Sequence, residues 1–152
     1  MLPQLKSGVA TLATSITNAG TFTSSAIDLL GVDWATIDVF ATTQSASTQA
    51  GSPSVLKLQE SDSTSATTFV DVVGFRGGSA TATNVDFVVG IGLTSGINNY
   101  KFNVDCRGRK RYLQVVASPT TTQSFSVAAN LGRAEQSPVT AVKAGVLNLV
   151  EG

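Results

Sequence analysis

The stretch Asp33-Trp-Ala-Thr-Ile-Asp-Val-Phe-Ala41 decides the fold class. Ala35, Ile37, Val39 and Ala41 fall on one side of an extended chain, and Trp34, Thr36, Asp38 and Phe40 on the other. A period of two is the mark of a strand with one buried face. The same grammar repeats along the chain. Residues Gly8 to Ile16 alternate in part, and Phe22 to Leu30 carries apolar residues up to Gly31. In Ser54-Val-Leu-Lys-Leu-Gln-Glu-Ser61, Leu56 and Leu58 oppose Lys57 and Gln59. Phe69 to Phe75 is apolar and reads as broken by Gly77-Gly78, and Val85 to Ile91 follows. Tyr100, Phe102 and Val104 alternate with Lys101, Asn103 and Asp105, and Tyr112 to Ala117 and Phe125 to Leu131 complete the series.

Between these runs lie turn-forming clusters: Asn18-Ala-Gly20, Asp62-Ser-Thr-Ser-Ala66, Thr94-Ser-Gly96, and a Ser/Thr/Gln/Gly loop from Thr42 to Pro53. About eight or nine short strands at this spacing predict an all-β protein, an antiparallel β-sandwich of jelly-roll-like form. No segment sustains apolar positions at helical spacing over three turns. A short helix near Ser24 to Leu30 is the main competing reading. The division that follows is a strand or arm over residues 1–20, a sandwich core over 21–134, and an arm or closing strand over 135–152. In that last segment Val139, Val142, Val146, Leu147, Leu149 and Val150 show no clean period.

Composition supports the same class. The chain has 152 residues, a one-domain length that buries enough surface to need no staples. It is 42% hydrophobic but only 13% charged, about half the ~25% charged content of ordinary soluble domains. Ser and Thr fill roughly a quarter of the sequence, and Thr suits a pleated, half-exposed surface. The Lys, Glu and Arg that build solvent-facing helix stripes are scarce.

These residues exclude much chemistry. There is no His, so a Ser-His-Asp triad, a Cys-His pair and a His-ligated metal are ruled out. The single cysteine, Cys106, forms no intrachain disulfide and reads as a small buried apolar residue. No phosphate-binding glycine loop is present, and Gly90-Ile-Gly92 reads as a bulge or turn. No two aspartates make a calcium loop, and no cofactor is implied. The chain is expected to be non-enzymatic. No apolar stretch approaches the ~20 residues of a membrane span, and no signal or lipidation motif is evident, so no membrane partner is expected. Formal charge is zero, which predicts no nucleic-acid partner.

One cluster stands out. Four of the ten basic residues lie in Arg107-Gly-Arg-Lys-Arg111, preceded by Asp105 and followed by Tyr112. Gly108 marks a tight turn. Arg107, Arg109, Lys110 and Arg111 are therefore the candidate partner-binding residues, since the planar Arg fork grips carboxylates and is enriched in interface hot spots. The competing reading is a solvated turn paired internally, for example to Asp105. Trp34 is read as a core residue on the inner face of its strand. Its alternative is a sugar-stacking platform, joined by Tyr100 and Tyr112 if all three point outward.

Several phrases resemble a group of small structural proteins of tailed phages. They are Ser54-Val-Leu-Lys-Leu-Gln-Glu-Ser-Asp62, Thr68-Phe-Val-Asp-Val-Val-Gly74 and Val104-Asp-Cys-Arg-Gly-Arg-Lys-Arg-Tyr-Leu-Gln-Val-Val116, with Leu131-Gly-Arg and Pro138-Val. The group is the capsid cement, or decoration, proteins, and the likeness spans about Ser25 to Pro138. It implies a β-sandwich on the outer surface of the virion, bound to the major capsid protein. It also implies self-association as trimers or neighbouring copies about three-fold axes, and bracing of the shell against DNA pressure. It implies no catalytic residue. Other readings of the residues are another virion subunit (tail tube, head completion or fibre) and a carbohydrate-binding module.

Overall fold

The computed structural model describes residues 5–42, 52–90 and 96–132. Among them are ten strands: β1 (Leu5–Ile16), β2 (Phe22–Thr23), β3 (Ile27–Asp28), β4 (Trp34–Thr42), β5 (Val55–Ser61), β6 (Val70–Gly78), β7 (Phe87–Val88), β8 (Ile97–Asp105), β9 (Tyr112–Ser118) and β10 (Gln123–Gly132). One sheet runs β1-β10-β4-β8. The other runs β2-β9-β5-β6-β7, with β3 also on β9. The pairings are antiparallel except β6 with β7.

β2 and β3 are two halves of one strand. Both pair with β9. Between them the Ser24 N–H donates to the Val115 carbonyl at 2.9 Å, and the Val115 N–H donates to the Ser24 hydroxyl oxygen at 2.9 Å. A side chain thus stands in for a backbone acceptor, and the ladder passes through the irregularity. With β2 and β3 counted as one and the two-residue β7 set aside, eight strands pair first with last. β1 meets β10, β2/β3 meets β9, β4 meets β8 and β5 meets β6. This nested pairing, a long hairpin folded over onto itself, is a jelly roll.

The core lies between the sheets, where alternation places it. Ala35, Ile37, Val39 and Ala41 of β4 are buried, with Phe125, Val127, Ala129 and Leu131 of β10 beside them. From the other sheet come Leu56 and Leu58 of β5 and Leu113, Val115 and Ala117 of β9. Phe22 and Phe125 meet across the sandwich with centroids 5.3 Å apart. Fully burying each such large side chain stabilises the fold by about 1.5–3 kcal/mol.

The structure corrects several local expectations. Gly77 and Gly78 do not break the strand; they are its end. A Cβ on Gly77 would strike the Phe87 ring and the Leu56 carbonyl, so the glycines let β7 lie close against β6. The segment from Val85 is a strand only at Phe87–Val88. Ser24 to Leu30 holds no helix, and the one helical turn among the described residues is a 3-10 turn at Ala66–Thr68. Trp34 is not in the core: it is 44% exposed on the outer face of its sheet. The expected arm over 135–152, most of the Thr42–Pro53 loop, and Ile91 and Gly92 lie outside the described residues. Among the described residues no helix is long and apolar enough to cross a membrane.

Edges are handled by irregularity. β1 borders its sheet and shifts register twice between Val9 and Thr14, where Leu12 projects into solvent at 77% exposure. Bulges of this kind twist an edge away from pairing with another sheet.

Candidate functional site

The basic turn crosses from one sheet to the other, joining β8 to β9. It sits at the pole of the sandwich where β4 begins and β10 ends, because Trp34 pairs with both Gly132 and Asp105, and Gly132 pairs with Leu5. Gly108 has φ +84°, a left-handed conformation that suits glycine at this bend. The Arg109 N–H closes the turn on the Cys106 carbonyl at 3.1 Å, and the Cys106 N–H ties it to the Asp33 carbonyl at 2.8 Å. Cys106 is buried, and burial pushes its thiol up to about 11, so it is a poor nucleophile.

Each arginine of the turn meets a carboxylate. Arg107 grips Asp105 with two bonds, Nε to Oδ1 at 3.0 Å and Nη2 to Oδ2 at 2.8 Å. Those bonds, with a third from the Arg107 backbone N–H at 3.0 Å, hold the Asp105 carboxyl down at about 2. Arg111 grips Asp28 in the same bidentate way, at 3.1 and 2.9 Å, and its guanidinium lies 4.9 Å from the centre of the Tyr112 ring. The hydrogen bonds from Arg111 hold Asp28 below the usual carboxylate range, against a smaller opposing effect of burial. Arg109 approaches Glu60 at 3.8 Å. Two backbone N–H groups also reach acidic side chains, Lys110 to Glu60 at 3.4 Å and Arg111 to Asp62 at 3.3 Å. The Lys110 ammonium has no ion pair among the described residues.

The turn is therefore a charge-matched surface rather than a bare positive one. Arg107, Arg109, Lys110 and Arg111 face Asp28, Glu60, Asp62 and Asp105. Such a surface has little net field for a phosphate backbone, whose binding rests on counterion release. It presents donors and acceptors in alternation, which suits a protein surface of complementary pattern. The pair to Asp105 matches the internal pairing weighed from sequence. Asp28, Glu60 and Asp62 were not singled out as partners of the turn, and strand register alone brings them there.

The three-ring platform does not form. Trp34 faces out from β4, Tyr112 lies under Arg111 at the start of β9, and Tyr100 packs partly buried against the core. Among the described residues no three His, Cys, Asp or Glu side chains group to hold a metal ion. No protein-family model matches this chain, and no curated protein matches it.

Proposed function

We propose that this chain is a capsid cement protein that binds the outer surface of the major capsid protein lattice and stabilises a phage head. One observation carries the reading. Three of the phrases that resemble cement proteins, far apart in sequence, lie side by side in the fold. Glu60 of the first pairs with Arg109 of the third, and the Gln114 amide of the third donates to Gln59 of the first at 2.8 Å. Lys57 of the first reaches Asp71 of the second at 2.9 Å. These three phrases fall on the neighbouring strands β9, β5 and β6 and on the turn that leads into β9, which supports the reading. A jelly roll suits the role, as viral coat domains and lectins both use it, though fold alone does not assign function.

In this reading the Arg107–Arg111 turn is the capsid anchor. Many copies on a lattice convert modest contacts into strong avidity, and neighbouring copies or trimers add to it. Purified protein added to undecorated capsids is expected to bind saturably and raise their disruption temperature; no rise at saturation overturns the reading. Changing Arg107, Arg109 and Arg111 together to Ser is expected to weaken binding and flatten its salt dependence. The Arg107 and Arg111 pairs are exposed and contribute little to stability, and the Arg109–Glu60 contact is long at 3.8 Å, so the variant is expected to stay folded, as a melting curve checks. Unchanged binding at low salt removes the turn from the interface.

A further inference from the structure

A recess of about 600 Å³ opens on the outer face of the sheet β1-β10-β4-β8, lined by Trp34 with Asp33, Thr36, Asn103, Asp105 and Arg107. The indole lies across the β10 backbone at Gly132, where any Cβ would collide with the ring. The ring is thereby held in place on a glycine while 44% of the residue stays open to solvent. Around it are polar groups with spare bonding capacity. Asn103 accepts from the Thr36 hydroxyl at 3.1 Å through its carbonyl oxygen. Its amide protons have no partner among the described residues. The Asp33 carboxylate makes no hydrogen bond or ion pair among them, and Arg107 acts on it only as a nearby charge. Arg107 closes the rim with its fork already filled by Asp105.

This combination selects a ligand class. A fixed aromatic face asks for a flat apolar surface. An unpaired carboxylate beside unpaired amide donors asks for groups that both donate and accept, as hydroxyls do. The negative charge of Asp33 and the filled Arg107 fork disfavour phosphate, sulfate or carboxylate ligands. A lone cation would leave the amide donors unused. We propose that this recess binds a neutral saccharide, the Trp34 indole stacking on the C–H face of a pyranose ring while Asp33 and Asn103 engage its hydroxyls. This does not rest on the capsid reading, and its test contains no capsid.

Trp34 is the one tryptophan of the chain, so its emission reports on this recess alone. The full chain is titrated with cellohexaose, chitohexaose, mannohexaose and a galacto-oligosaccharide, with a sulfated oligosaccharide as the anionic comparison. At least one neutral sugar is expected to shift Trp34 emission saturably, and the sulfated one to act more weakly. Asp33→Asn and Asn103→Ala are each expected to weaken that sugar about tenfold, the loss of one good hydrogen bond. Trp34→Ala is expected to abolish its heat of binding in calorimetry, with folding checked by melting of all three variants. Three results overturn the proposal: no response to any neutral sugar at ~10 mM, the weak-binding limit; a response unchanged in both polar variants; or a stronger response to the sulfated sugar.

Discussion

Ser24 completes a backbone ladder with its hydroxyl, at the point where β2 gives way to β3. Removing that oxygen leaves the buried Val115 N–H without its acceptor. Ser24→Ala is expected to cost about 1–3 kcal/mol, the penalty of an orphaned buried donor, read as a lower urea midpoint. Ser24→Thr keeps the hydroxyl and is expected to retain more of that stability. Sequence reading found the strand here but not the interruption, since nothing in a period of two says that a serine side chain will replace a carbonyl. Trp34 is the other instructive residue. Alternation sorted the residues of β4 into two faces correctly, and left open which face turns inward. Indole size pointed to the Trp34 face. The polar Thr36 and Asp38 share that face and decide against it, for burying them unpaired is expensive. Asp38 is covered on the outer face but not left unpaired: Lys101 lies 3.5 Å from its carboxylate and the Asn99 amide donates to it at 3.4 Å.

At the level of elements, Gly77 shows how a residue read as a breaker can permit packing. A Cβ there meets the Phe87 ring and a backbone carbonyl, so β7 must lift or β6 must shift. Phe87 in turn stands edge-on to Phe102 in the core, with centroids 6.2 Å apart. Gly77→Ala is expected to destabilise by about 1–3 kcal/mol, as overpacking does, and to weaken the near-UV signal of these rings. Gly8→Ala on β1, where a Cβ meets nothing, is the matched control and should change little. The basic turn was legible as a turn, because Gly108 and the charge run mark it. Its carboxylate partners were not. Asp28 is 83 residues from Arg111, and Glu60 is 50 residues from Lys110. Only the pairing of β9 with both β3 and β5 sets these groups side by side.

For the whole molecule, the titration behaviour follows from aspartates held in their charged form. Asp105 is held at about 2 by Arg107. Asp86 lies lower still, gripped by the Arg76 side chain and the N–H groups of Arg76 and Gly74. For Asp71, burial pushes upward, but hydrogen bonds from Lys57 and Gln59 outweigh it and the carboxyl falls below its ordinary value. A carboxyl lowered in the folded state adds stability above its unfolded pKa, ~3.9 for Asp, and loses it as pH falls through the folded value. Melting temperature is therefore expected to fall as pH drops from ~4 towards 2, the range between the ordinary Asp value and that of Asp105. The chain holds no His, so little change is expected between pH ~5 and 8, where His is the side chain that ordinarily titrates.

The sandwich class was readable from alternation and turn spacing, since both are local. The jelly-roll form was expected as well, but the order in which particular strands pair was not readable, because that is a matter of which distant segments meet. That order has a consequence in time. The first strand and the last are partners, and Ser7 bonds Asn130 across 123 residues. During synthesis β1 emerges first and waits for β10, which also supplies a neighbour to β4. Until then half of one sheet has an open edge and an uncovered apolar face. Long-range pairing of this kind folds slowly and leaves growing chains prone to aggregate. A ribosome that stops short of β10 releases a chain with no partner for its first strand.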